Sequence, residues 1–279
     1  MRPFRNAALV GLLILGMIPG SAAALTLGFE GINDYSGSLL EPNCIYGDRA
    51  GATYVQNLDT ALASHPRYFI YTNDSVWESD VHTGGWIDKA NFFVFAGHGL
   101  RYDYWPELNN MSSLHFYSQN GDPDYHSSSE EGLDSVNATW DEVRVGSTGT
   151  LRFASFYTCN WLKNGGSNER LQKIYQMFQG VNLMTGFAST MYLDSREGTE
   201  FGQLLESGAT VKEAWFRAAR KYQPQLDPSG SIVYARVVGH VSAENDTLYS
   251  YHSSVPTYSE DPSGYTWWDW VIVTTGEKI

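Results

Sequence analysis

Short apolar runs rich in aromatic and β-branched residues recur along the chain, and segments with helical periodicity separate them. Two of these runs, Asn91 to Gly99 and Leu151 to Cys159, have the pattern of buried strands. Each run carries a reactive residue where it stops, His98 in the first and Cys159 in the second. Catalytic groups collect outside the carboxyl ends of neighbouring parallel strands, so the pattern predicts that an imidazole and a thiol meet at one edge of a sheet.

The same patterns predict the other elements. Strands are expected at 25–29, 67–71, 181–187, 232–240 and 265–274, and helices at 50–63, 168–178, 199–206 and 210–222. Thr210 is the predicted N-cap of the last helix, with Glu213 as its capping-box partner, and Pro224 ends that helix. Strands that alternate with helices predict an α/β fold in which helices cover both faces of a mainly parallel sheet.

The stretch at about 100–150 interrupts this alternation. It is crowded with Tyr, Trp, Ser, Asn and Asp and has weak periodicity, with a short strand or helix expected at 140–145. A connection of this length is more often functional than passive, so the sequence predicts an aromatic-rich insertion that forms a hairpin or a lid.

The N-terminus has the pattern of a secretory signal peptide. Met1 to Ala24 carries two arginines, an apolar run and a small-residue stretch, and cleavage is expected after Ala24. No later stretch approaches the roughly 20 apolar residues that a spanning helix needs. We therefore expect a single α/β domain at 25–279 that is secreted or held at the cell surface. Acceptor-type sequons at Asn73, Asn110, Asn137 and Asn245 are compatible with export.

Charge and cysteine content narrow the chemistry. The formal net charge of −13 argues against a nucleic-acid partner, because the basic stripe that phosphate binding requires is missing. Cys44 and Cys159 are the two cysteines of the chain. In an oxidising compartment they could form one disulfide, or Cys159 could be a catalytic thiol, and the sequence leaves both open.

His98, Gly99 and Cys159 together suit acyl transfer. A thiolate attacks a carbonyl carbon, and an imidazole can take the thiol proton and return it to the leaving amine. The glycine after the histidine lets backbone approach a substrate closely, so the Gly99 N–H is a candidate oxyanion donor. The structural alternatives are a strand-end histidine bonded to a loop and a small buried cysteine.

These motifs resemble the caspase-like cysteine peptidases, the group that contains legumain, gingipain, clostripain and the caspases. The resemblance covers roughly 67–222 and rests on a strand ending in His-Gly, a strand ending in Cys, and the downstream segments Met184 to Phe187 and Gly198 to Tyr222. The stretch from Val76 to Gly99 is also similar to a group of uncharacterised exported prokaryotic proteins. The resemblance implies a three-layer sandwich, a polypeptide substrate, His98 as general base and Cys159 as nucleophile.

The chain departs from the caspases around the cysteine. Tyr157 and Thr158 replace the usual Gln-Ala before it, and Asn160 and Trp161 follow it. The caspase preference for aspartate therefore does not carry over, and the bulky Trp161 is expected to narrow or reshape the pocket. No residue identifies a specificity pocket.

Other residues are candidates for the remaining roles. Asp80 or Asp88 could orient His98, and His82 and His240 are alternative bases that lack a following glycine. No cofactor is expected; the alternating Asn120, Asp122 and Asp124 could hold at most a structural calcium ion.

Two other classes of function stay open. The first is a non-catalytic domain in which Cys159 is structural or paired with Cys44. The second is a carbohydrate-active protein: its aromatic clusters lie at 102–105 and 267–270, and Glu78 and Asp80 would be its acid pair, although such spacing is common in solvated loops. The oligomeric state is not predicted.

Overall fold

The computed structural model describes residues 25–33, 50–82, 85–100, 111–116, 137–227, 229–258 and 267–276. Its strands are β1 (Leu27–Gly31), β2 (Arg67–Thr72), β3 (Phe92–Ala96), β4 (His98–Leu100), β5 (Ser113–His115), β6 (Asn137–Thr139), β7 (Phe153–Tyr157), β8 (Leu183–Phe187), β9 (Tyr234–His240) and β10 (Trp267–Val273). Its α-helices are α1 (Gly51–Ala61), α2 (Asn168–Gln176), α3 (Ser195–Glu206) and α4 (Val211–Tyr222).

Seven strands form the main sheet, in the order β10-β9-β8-β7-β3-β1-β2. The strands from β2 to β8 in this order run parallel. At the other side of the sheet, β9 pairs antiparallel with β8, and β10 pairs antiparallel with β9. The predicted α/β fold with a mainly parallel sheet is therefore confirmed.

The sheet separates two apolar layers. Along β3, Phe92, Val94 and Ala96 face the layer built from α1, α3 and α4, whereas Phe93 and Phe95 face the layer that contains α2. Alternate residues of a strand point to opposite faces, and here both faces are covered, so the whole strand is apolar. Helices on both faces give a three-layer sandwich, as predicted.

Side-chain caps set where the helices begin. Ser167, Asp194 and Thr210 accept hydrogen bonds from N–H groups in the first turns of α2, α3 and α4. Thr210 is the cap predicted from the sequence. Helix α3 starts at Ser195 instead of Thr199, because Asp194 supplies the cap four residues earlier than the apolar pattern suggests.

The insertion builds a small second sheet. Strands β4, β5 and β6 form an antiparallel sheet in that order. His98 therefore begins β4 instead of ending β3, which corrects the predicted single strand from Asn91 to Gly99. The short strand or helix expected at 140–145 is also wrong: the segment is a turn with isolated bridges at Val143 and Val145.

Several sequence predictions lie outside the described residues. They concern the signal peptide at 1–24, Cys44, the sequon at Asn110 and the segment with Asn120, Asp122 and Asp124. Within the described ranges, every helix is too short or too polar to cross a membrane.

Candidate active site

The two central strands β3 and β7 bring the predicted residues to one edge of the sheet. They pair in parallel register, with Ala96 opposite Tyr157 at their carboxyl ends. The N–H of Gly97 then donates to the carbonyl of Tyr157 at 3.2 Å, which extends the pairing by one step. His98 and Cys159 follow directly, so both leave the same edge of adjacent strands.

Gly99 packs against the backbone of Cys159. A Cβ atom placed on Gly99 would lie 2.1 Å from the carbonyl oxygen of Cys159 and 2.6 Å from Oγ1 of Thr158. Real Cβ atoms do not come this close to backbone, so only glycine fits here. The His-Gly segment and the cysteine segment are therefore in direct contact, and this contact accounts for the glycine without any role in binding an oxyanion.

The Cys159 sulfur lies against the loop that follows β8. The N–H of Met191 points at Sγ from 3.4 Å, and the carbonyl oxygen of Met191 lies 3.6 Å from Sγ. The side chain of Cys159 is partly exposed, whereas the side chain of Met191 is buried. The N–H aimed at the sulfur favours the thiolate, whereas the bond that the thiol donates to the Met191 carbonyl favours the neutral form.

A sharp turn after Cys159 shapes this environment. Asn160 has φ of 58°, a left-handed conformation that asparagine tolerates better than most residues. Its N–H donates to the carbonyl of Ser189 at 2.9 Å, and the N–H of Leu162 donates to that of Phe187 at 3.0 Å. These bonds join the turn to the loop after β8 and so hold the loop beside the sulfur.

His98 lies in the small sheet, where it is 8% exposed. Its cross-strand neighbour is His115, which is buried and whose Nδ1 is 2.8 Å from Oδ1 of Asn137. Directly opposed residues in antiparallel strands have neighbouring side chains on one face. His115 is a site residue that sequence reasoning missed, because the three-residue strand around it has no recognisable period.

A buried polar network lies beside the cysteine strand. The hydroxyl of Tyr157 donates to Oε2 of Glu197 at 2.8 Å, and Nε2 of Gln223 donates to the same oxygen at 2.7 Å. The ring of Tyr157 stacks on Tyr54, with centroids 3.8 Å apart. Sequence reasoning missed this network, since nothing in the local pattern shows that β7, α3 and α4 meet at these positions.

Burial raises the pKa of Glu197 to about 8, although the hydrogen bonds from Gln223 and Tyr157 act in the opposite direction. Burial also raises the pKa of Tyr157 well above its usual value, and the nearby Glu197 raises it further. Taking a charge out of water favours the neutral form of each group. Both groups thus hold their protons in the neutral range more tightly than exposed groups would.

The alternative bases occupy other places. His240 ends the antiparallel strand β9, and its N–H donates to the carbonyl of Asn182, just before β8 begins. This is the edge of the sheet opposite to Cys159, so His240 cannot serve that cysteine. His82 contacts Glu78 and forms an isolated bridge with Val143.

The two aspartates proposed to orient His98 have other hydrogen bonds. Asp88 is fully buried and accepts from the N–H of Gly146 at 2.6 Å and the hydroxyl of Ser147 at 2.5 Å. Asp80 accepts from the N–H of Trp77 at 3.1 Å. These bonds give Asp88 a structural explanation as the anchor of the turn at 146–149.

Two expectations about individual side chains need correction. Glu78 and Asp80 are 4% and 2% exposed, so the solvated loop expected for them is wrong. Trp161 is fully buried against Phe156, with ring centroids 5.1 Å apart, so it fills the core instead of narrowing a pocket.

In the part of the chain that the structure describes, no three His, Cys, Asp or Glu side chains are grouped so that they could hold a metal ion.

Fold and site together define a three-layer α/β domain with a His-Gly motif packed against a cysteine at the carboxyl edge of its parallel strands. The chain belongs to the family described as Domain of unknown function (DUF6345), whose model matches residues 29–271. A comparison with curated proteins gave no match.

Proposed function

We propose that this protein is a caspase-like cysteine peptidase that hydrolyses peptide bonds with Cys159 as nucleophile and His98 as general base. The observation that carries the proposal is that His98 and Cys159 follow the carboxyl ends of two adjacent parallel strands, β3 and β7, and so leave the same edge of the sheet. The resemblance of the His-Gly and Cys motifs to caspase-like peptidases supports it. Export to the cell surface or medium is part of the proposal and rests on the N-terminal sequence alone.

The chemistry follows from the residue types. His98 takes the proton of the Cys159 thiol, and the sulfur forms a bond to the carbonyl carbon of the substrate. The C–N bond then breaks as His98 returns the proton to the leaving amine. Water, deprotonated by His98, attacks the thioester carbon and releases the acid, and the proton returns to the cysteine sulfur. The Met191 N–H, 3.4 Å from Sγ, stabilises the thiolate in the first step.

The main alternative is a non-catalytic domain in which Cys159 is structural or bonded to Cys44. The close fit of Gly99 against Cys159 favours this alternative in one respect, because packing alone explains the glycine. The carbohydrate-active alternative is not favoured, since Glu78 contacts His82 and Asp80 accepts the backbone N–H of Trp77, so both carboxyls have structural contacts.

The first test is mass spectrometry of the purified protein after treatment with iodoacetamide, without reduction. We expect modification of Cys159 at neutral pH that is faster than modification of a thiol in a short unstructured peptide. A second arm measures cleavage of a denatured protein mixture, with termini mapped by mass spectrometry. We expect new termini from the wild type and none from Cys159→Ala.

A matched pair of histidine variants separates the base from a merely buried imidazole. We expect His98→Gln to lose cleavage and to slow alkylation at neutral pH, whereas His240→Gln, at the opposite edge of the sheet, should keep both. Isolation of a Cys44–Cys159 disulfide would refute the peptidase proposal. Equal activity in wild type and Cys159→Ala would refute it as well.

A further inference from the structure

The loop after β8 connects the cysteine to the buried network. Residues 190–194 belong to the loop between β8 and α3. Met191 contacts the sulfur of Cys159, and the next residues, Tyr192 and Asp194, contact the network through their backbone. One short segment therefore has the reactive sulfur at one end and the buried polar groups at the other.

Gln223 holds the backbone of Tyr192 from both sides. Its Oε1 accepts from the N–H of Tyr192 at 2.8 Å, and its Nε2 donates to the carbonyl of Tyr192 at 2.6 Å. This two-point contact resembles the pairing of a β-strand, made by one side chain. Gln223 lies just after α4 and is fully buried, so bulk water cannot replace the hydrogen-bond partners of its amide.

Tyr157 holds the other end of the segment. Its hydroxyl oxygen accepts from the N–H of Asp194 at 3.0 Å while its proton goes to Oε2 of Glu197. Glu197 is the common acceptor that orients both the Tyr157 hydroxyl and the Gln223 amide. Without that acceptor, the Tyr157 hydroxyl would turn to the carbonyls of Tyr192 and Asp194, at 3.1 and 3.3 Å, and its present orientation would be lost.

The position of the network suggests more than stability. Tyr157 is the last residue of β7, two residues before Cys159, so the network fixes the cysteine and the Met191 segment relative to each other. A donor stabilises a thiolate only while its N–H stays aimed at the sulfur, as the Met191 N–H is at 3.4 Å.

We infer that Glu197, Gln223 and Tyr157 are positioning residues that clamp the backbone of Tyr192 to Asp194 and thereby aim the Met191 N–H at the sulfur of Cys159. The inference rests on the proposed function only in its consequence for catalysis. The clamp itself predicts a property of the thiol that can be measured without any substrate.

The experiment measures the rate of iodoacetamide alkylation of Cys159 as a function of pH. The full chain carries Cys44→Ser, so that Cys159 is the one thiol that reacts. We expect Gln223→Met, which keeps the volume and removes the amide, to move the midpoint of the profile to higher pH and to slow alkylation at pH 7 by roughly tenfold. Tyr157→Phe should shift the profile in the same direction. Glu197→Leu should shift the profile as Gln223→Met does. Glu197→Gln keeps an acceptor oxygen, so this variant should have the wild-type profile.

Gln203→Met is the matched control, because Gln203 is exposed on the neighbouring helix α3. It should leave the profile unchanged. If Gln223→Met fails to fold, the same profile is measured on Tyr157→Phe, which removes a single oxygen atom. The inference is overturned if folded Gln223→Met or Tyr157→Phe has the wild-type profile. A shifted profile without peptidase activity would refute the proposed function and keep the clamp.

Discussion

Individual residues at the site have tight steric limits, and Gly99 has the tightest. Gly99→Ala places its Cβ 2.1 Å from the carbonyl oxygen of Cys159, so one of the two backbone segments must move. We expect a loss of about 1–3 kcal/mol of unfolding free energy and slower alkylation of Cys159. Chemical denaturation and alkylation kinetics check the two effects.

Gly28→Ala is the control for this prediction. The new Cβ would meet the Phe69 ring at 2.5 Å, on a strand away from the site. A ring can turn aside more easily than a backbone carbonyl, so we expect a smaller loss of stability and unchanged alkylation. If Gly99→Ala leaves the rate of Cys159 alkylation unchanged, the two segments are not coupled as the contact implies.

The sequence indicates His98 and Cys159 because each follows an apolar run, and a strand end can be recognised locally. It cannot indicate Met191, Glu197 or Gln223. Met191 reaches the sulfur through its backbone N–H, which every residue except proline possesses. Glu197 and Gln223 look like ordinary polar residues near helix ends, and only tertiary packing shows that they are buried beside Tyr157.

Elements were predicted well where local chemistry marks them. Thr210 was recognisable as a cap, and its Oγ1 accepts from the N–H of Glu213 at 3.1 Å. Helix α3 was predicted too short because Asp194, its cap, follows a loop with no apolar period. Strand β4 was merged with β3, because only the tertiary fold shows that the chain changes sheets at Gly97.

The cap of α4 gives a prediction at this scale. Thr210→Ala removes the acceptor for the Glu213 N–H, so we expect a loss of about 1 kcal/mol of unfolding free energy. Thr210→Ser keeps the hydroxyl and should lose far less. Urea denaturation of the two variants checks the difference, and an equal loss in both would show that the cap bond contributes nothing measurable.

At the scale of the whole molecule, the three-layer arrangement puts carboxyl groups inside both apolar layers. Glu30 on β1 is fully buried on the α2 side, where burial and then the nearby Asp80 raise its pKa well above the usual value. Glu197 is buried on the other side, with a pKa raised to about 8. Alternation of apolar residues predicts the layers, but a single acidic residue inside an apolar strand gives no sign of its own protonation state.

These buried carboxyls set the direction in which pH changes stability. Where the folded pKa of Glu197 is raised to about 8 from a usual value of 4.5, the folded chain holds a proton that the unfolded chain has released. Between these values stability falls as pH rises, by at most about 5 kcal/mol for this group. Below the window both states are protonated, and above it both are ionised, so the slope vanishes. The hydroxyls of Tyr54 and Tyr157, whose pKa values are raised well above the usual range, stay neutral in this window, and the nearby Asp194 raises the pKa of Glu197 further.

We therefore expect the melting temperature to fall from pH 5 to pH 8, and Glu197→Gln to reduce this fall because glutamine does not titrate. Self-repulsion of an acidic chain would also lower stability as pH rises, so a charge-matched control is needed. Glu213→Gln makes the same substitution at a side chain that is 57% exposed, where it removes a charge from the folded and the unfolded chain alike, so it should leave the slope unchanged. Equal slopes in both variants would assign the pH dependence to net charge, and they would mean that the buried Glu197 ionises in the folded protein as readily as a carboxylate in water.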